Sequence, residues 1–131
     1  MLDFDSLLVP VDFSPISAAM MNQAVQLASG EEPLVIMLHV LDVSLVEFAI
    51  SHGLGEREQV QAAMRKQADI AMAELKQKIV ATSDRMAQVD VQAIVTEGLP
   101  FLEILRKSEE FQVGAILLGK QTDRGGIERL L

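Results

Sequence analysis

Asp12 is the residue whose neighbours best equip it for chemistry. It stands in the run Leu7-Leu8-Val9-Pro10-Val11-Asp12-Phe13-Ser14-Pro15. Leu7, Leu8 and Val9 are apolar without alternation, the pattern of a strand covered on both faces. Pro10 cannot donate to a sheet ladder, so pairing is expected to stop about there. Ser14 can cap free backbone N–H groups, and Pro15 suits a first helical position. Asp12 therefore falls in the turn beyond the carboxyl end of a strand, the edge at which open α/β sheets bind ligands. A carboxylate there can accept hydrogen bonds from a ribose or an amine, hold a metal, or cap the turn before the helix.

A second loop carries the complementary chemistry. Gly119-Lys120-Gln121-Thr122-Asp123-Arg124-Gly125-Gly126 combines glycines with a Lys, an Arg and a Thr ahead of a helix start at Ile127. Such a loop can cradle a phosphate through backbone N–H groups and side-chain charge, or be a plain surface loop. It lacks the spacing of a Walker loop, and the Asp12 turn lacks Gly-x-Gly-x-x-Gly, so neither of those phosphate sites is present. A phospho-acceptor receiver domain would want an Asp where Thr96-Glu97-Gly98 stands. Of the two histidines, His39 lies inside an apolar run and reads as a satisfied core residue, while His52 beside Gly53 reads as exposed. Neither has an evident Ser partner, and no His/Asp/Glu spacing suggests a dedicated metal site. The chain is read as a non-enzyme.

Composition narrows the partners. The 131 residues suffice for one domain with one core. Half are hydrophobic, only 4% are aromatic, and the net charge is −8. That balance excludes a broad nucleic-acid surface, base stacking on aromatics, or a docking face for acidic membranes. With no Cys, disulfides, thiolate catalysis and zinc–thiolate sites are all absent. No signal peptide or bilayer-spanning apolar run is found, and the expectation is a soluble cytoplasmic protein.

The elements that must position these loops follow from the apolar pattern. Strands are expected over residues 3–9, 34–40, 89–95 and 113–118. Helices are expected over 15–29, with Ile16, Met20, Ala24 and Leu27 inward, and over 56–85, with Val60, Met64, Ala68, Ala71, Leu75, Ile79 and Met86 on one stripe. A short helix opens at Pro100, with Phe101, Ile104 and Leu105 inward. Residues 41–55 are read as an excursion over the sheet edge, and Thr96-Glu97-Gly98 as a turn. The third strand, alternating at first, is read as an edge strand. The order predicts one doubly wound, Rossmann-like parallel sheet with right-handed crossovers. The fourth strand is apolar throughout, so it is expected to be central; with no following strand in the sequence, a partner subunit or a longer chain is expected to cover that edge.

Taken together, Val9-Pro10-Val11-Asp12-Phe13-Ser14, Leu38-His39-Val40, Thr96-Glu97-Gly98-Leu99-Pro100 and Ile116-Leu117-Leu118-Gly119 resemble the universal stress protein family in order and spacing along the whole chain. The resemblance implies a sheet ordered 3-2-1-4-5, here 3-2-1-4 with the fifth strand missing from a single truncated domain, and a homodimer made through that fifth strand. In the ATP-binding branch it implies that Asp12 and the backbone of Val40 contact the adenosine part. Pro10, Val11, Ser14 and Leu118 would line the same pocket. The phosphates would be held by a Gly-x-x-Gly-x9-Gly-Ser/Thr motif. Gly119 matches its first Gly, Thr122 replaces its second, and the third would fall after Leu131. The implied ligand is ATP or AMP, with a divalent metal only as the nucleotide's counter-ion. The implied role is a stress-response sensor or regulator. The altered phosphate motif favours a branch that binds no nucleotide and acts as a dimeric interaction module, whereas the intact Asp12 loop favours the binding branch.

Overall fold

A computed structural model describes residues 4–119 of the chain. The elements run β1 (Ser6–Pro10), α1 (Pro15–Leu27), β2 (Leu34–Asp42), α2 (Val43–Ser51), α3 (Arg57–Thr82), a 3-10 turn over Asp84–Gln88, β3 (Asp90–Gly98), α4 (Pro100–Glu110) and β4 (Ala115–Ile116). They form one four-stranded parallel sheet in the order β3-β2-β1-β4. The predicted fold class and strand order are those observed.

The unalternating strands are explained by a core on each face of the sheet. Leu7, Val9, Val35 and Met37 point to one face, under Met20, Met21, Ala24 and Val25 of α1 and Met72, Leu75 and Ile79 of α3. Leu8, Ile36 and Leu38 point to the other, against Ile104 of α4 and Phe111. Alternate residues of one strand thus meet different helices, so every position is apolar. Arg85 ties the first layer together: its Nε and NH2 donate to the carbonyls of Val25 (3.1 Å) and Ala28 (2.6 Å), closing the free end of α1.

Several expectations are corrected. Thr96-Glu97-Gly98 is not a turn. β2 runs on to Asp42, and its parallel register carries β3 through Val40↔Thr96, Leu41↔Glu97 and Asp42↔Gly98. The chain turns only after Gly98, at φ +157°. Residues 41–55 are not an excursion: Asp42 ends β2 and caps α2, its Oδ1 accepting from the Ser44 N–H at 2.9 Å. The inward face of α4 is also rotated. Ile104 packs on the sheet, but Phe101 is 70% and Leu105 41% exposed, while Glu103 is buried. Gly98 explains the rotation, because a Cβ there would come 2.8 Å from Glu103 Cγ; the glycine vacates the space that the glutamate stem fills. In α1, Leu27 is exposed, and Met21, Val25 and the hydroxyl residue Ser17 are buried instead. β4 pairs over two residues, with β1 alone among the described residues. The expected 119–126 loop beyond Gly119, the helix from Ile127, and Thr122 lie outside the described residues. So does the side chain of Met86. No helix among the described residues is long and apolar enough to cross a membrane.

Candidate functional site

The strand order decides where a site can form. From β1 the chain steps outward to β2 and β3, then returns across the sheet to β4 on the other side of β1. The carboxyl ends of β1 and β4 therefore stand side by side where the strand order reverses, the usual ligand position in open α/β sheets. A cavity of about 270 Å³ occupies it. Pro10, Val11, Asp12, Ser14, Val40, Leu118 and Gly119, separately proposed from the sequence, all line it. Thr122 lies outside the described residues.

The Asp12 turn is held from every side. The Val11 N–H donates to the Leu38 carbonyl (2.8 Å), carrying β1's last link to β2. The Val11 carbonyl receives His39 Nδ1 at 2.8 Å. Because a carbonyl only accepts, the hydrogen must sit on Nδ1. The Phe13 ring leans on the His39 ring, centroids 4.5 Å apart and planes tilted by 41°. Phe13 itself has φ +67°, the left-handed region that a bulky side chain enters at a cost of about 1–3 kcal/mol. The surrounding contacts must offset that strain.

Asp12 is engaged through one oxygen. Its Oδ1 accepts from the Ser14 N–H (3.0 Å) and from the Ser17 hydroxyl (2.7 Å), while its own N–H donates to the Ser17 Oγ (2.9 Å). The Ser14 Oγ in turn accepts from the Ser17 N–H (3.3 Å), the expected helix cap. The capping role and a carboxylate on the cavity wall are thus compatible, since the Ser14 N–H and the Ser17 hydroxyl both bond to Oδ1. Hydrogen bonding from Ser14 is the main cause that holds the Asp12 carboxyl below its ordinary value; partial burial opposes it and Ser17 assists. The group is a carboxylate at neutral pH.

A pH prediction follows from the direction of that shift. A carboxyl depressed in the folded state stabilises the fold above its unfolded value, near 3.8, and the contribution is lost as pH falls through the folded value. Asp12→Asn keeps an acceptor for Ser14 and Ser17 but does not titrate. Chemical denaturation from about pH 6 down to about pH 3 should therefore show the stability gap between wild type and Asp12→Asn narrowing below about pH 4. A gap that stays constant would contradict the hydrogen-bond assignment.

Gly119 has a role that the sequence reading did not assign. A Cβ there would overlap Ile16 Cγ2 and come 3.0 Å from Met20 Cγ. The loop after β4 thus passes directly over the first turn of α1, and only a glycine fits. Ile16, Ser17, Met20, Leu38, His39, Pro100 and Ile104 complete the wall; none was proposed as a site residue. Ser17 had one signal, a hydroxyl three residues after the cap and buried on the core side of the first turn. For His39 the signal was its strand register: Pro10 stands opposite Leu38, so the next residues, Val11 and His39, must meet. Among the described residues no cluster of three or more His, Asp or Glu side chains is arranged to hold a metal.

Residues 3–131 match the universal stress protein family. Among curated protein sequences none matches the chain. Among solved structures, the hypothetical protein MJ0577 is similar at TM-score 0.71 and 20% identity, over 92% of this chain and 78% of that one. The universal stress protein UspA from Lactobacillus plantarum is similar at TM-score 0.68 and 22% identity, over 94% and 82%. Protein Rv1636 from Mycobacterium tuberculosis H37Rv is similar at TM-score 0.56 and 15% identity, over 95% and 80%. At these identities the likeness is one of fold.

Proposed function

The chain belongs to the universal stress protein family, and from that premise we propose that it is a cytoplasmic stress-response sensor or regulator that binds an adenine nucleotide between β1 and β4, without significant catalysis. The observation that carries this reading is the ionised Asp12 on the wall of the crevice, tied to its own turn through Oδ1 by the Ser14 N–H and the Ser17 hydroxyl. An acceptor of that kind suits the exocyclic amine or ribose hydroxyls of an adenosine. Val40 would offer backbone groups; Pro10, Val11, Ser14 and Leu118 would supply the walls. About 270 Å³ lies just under the range of small-molecule sites, about 300–1,000 Å³, so the described cavity suits the nucleoside part. Phosphates would extend past Gly119, with any divalent ion serving as their counter-ion.

Mass spectrometry of small molecules released on denaturing the freshly purified protein tests the proposal. A stoichiometric adenine nucleotide supports it, and its phosphate count reports on the loop that carries Thr122. A specific observation favours a second reading, a homodimeric interaction module without nucleotide. Leu99, Phe101, Leu102 and Leu118 all stay exposed around the start of α4 and the end of β4, a concentration of apolar surface that solvent does not favour. An empty cavity together with a concentration-dependent dimer in sedimentation would decide for that module.

A further inference from the structure

His39 lines the cavity and touches the backbone and ring of the Asp12 turn, yet the nucleotide contacts proposed above leave it without a role. It sits one residue past Leu38, where β2 still runs alongside the end of β1. From there its Nδ1–H reaches the Val11 carbonyl at 2.8 Å, and its ring supports Phe13 at 4.5 Å. These two contacts bracket Asp12, one on each side along the chain. Phe13 is held at φ +67° between them, a conformation an aromatic residue does not keep unless its surroundings impose it. The bonds of the Asp12 carboxylate to Ser14 and Ser17, and of the Asp12 N–H to the Ser17 Oγ, tie the turn to the start of α1. On the strand side the Val11 N–H is held by the Leu38 carbonyl, and His39 holds the carbonyl of the same Val11 together with the Phe13 ring.

We infer that His39 is the positioning residue of the site: it fixes the Val11–Phe13 backbone so that the Asp12 carboxylate faces the crevice. The hydrogen on Nδ1 does this work, and the ring face against Phe13 adds to it. The functional consequence rests on the nucleotide reading, but the positioning itself does not.

The two are tested separately in the whole chain. Amide hydrogen exchange at Asp12 and Ser14, followed by NMR without ligand, reports on the turn; calorimetric titration with AMP reports on binding. His39→Phe keeps an aromatic ring beside Phe13 and removes the donor. His39→Asn restores a donor on an atom bonded to Cγ, as Nδ1 is. In His39→Phe, exchange at Asp12 and Ser14 should quicken about tenfold, while exchange in Leu7, Leu8 and Val9 is unchanged. AMP affinity should fall about tenfold. His39→Asn should recover both to within about threefold. Should His39→Phe not fold, His39→Gln replaces it, since its amide lies one bond too far out and should leave the turn loose. Unchanged exchange in the donor-free variant, or an Asn variant as loose as it, overturns the inference. Absence of AMP heat in the wild type defeats the nucleotide reading alone, and the exchange data still decide the role of His39.

Discussion

Asp12→Ala is expected to lower adenine-nucleotide affinity at least about a hundredfold, below what calorimetry detects. A carboxylate that accepts from an adenosine makes charge-assisted hydrogen bonds, each contributing about 1.5–3 kcal/mol. Two of them amount to more than two decades at 1.4 kcal/mol per decade. The alanine also removes the acceptor for the Ser14 N–H and the Ser17 hydroxyl, so the turn is expected to loosen as well, at about 1 kcal/mol of stability. Asp12→Asn separates the two effects. It can keep the acceptor inside the turn while discarding the charge, and should weaken binding by about tenfold at a smaller cost in stability than the alanine. Binding that survives Asp12→Ala would remove Asp12 from the site.

Gly119→Ala is expected to destabilise the fold by about 1–3 kcal/mol, the usual cost of overfilling a packed contact. The added methyl group collides with Ile16 Cγ2 in the first turn of α1 and crowds Met20. Relief requires the loop after β4 or the start of α1 to move, and both line the cavity, so nucleotide affinity should fall with stability. The collision names its own remedy. Ile16→Ala removes the atom that is struck, so the double variant should be more stable than the sum of the two single changes predicts, by about 1 kcal/mol. Strict additivity in denaturant unfolding would contradict the collision with Ile16 as the cause.

Leu7-Leu8-Val9 and Leu34 to Leu38 revealed the sheet because each residue in them must satisfy one of two cores, and the absence of alternation shows that directly. Ser14-Pro15 likewise announced α1, since capping is local chemistry. Thr96, Glu97 and Gly98 misled because their types suit a turn; the length of β2 opposite them decides that they pair, and no local pattern carries that information. The α4 face misled for a related reason. A glutamate reads as outward, yet Glu103 lies inward over Gly98 and swings Phe101 and Leu105 to solvent. Residues 41–55 hid a helix because only Val46 of α2 is buried, so its apolar residues trace no stripe.

The site divides in the same way. Asp12, Val40 and Gly119 could be proposed from motif and position. Ser17 and His39 became visible only when register and helix phase brought them to the turn.

Calorimetric titration of the wild-type chain with AMP and with ATP tests the central claim most directly. The account predicts saturable heat at one nucleotide per chain, lost in Asp12→Ala. Wild-type protein that is folded and gives no heat with either nucleotide would contradict it, and would leave the exposed apolar surface around α4 as the functional feature of the fold.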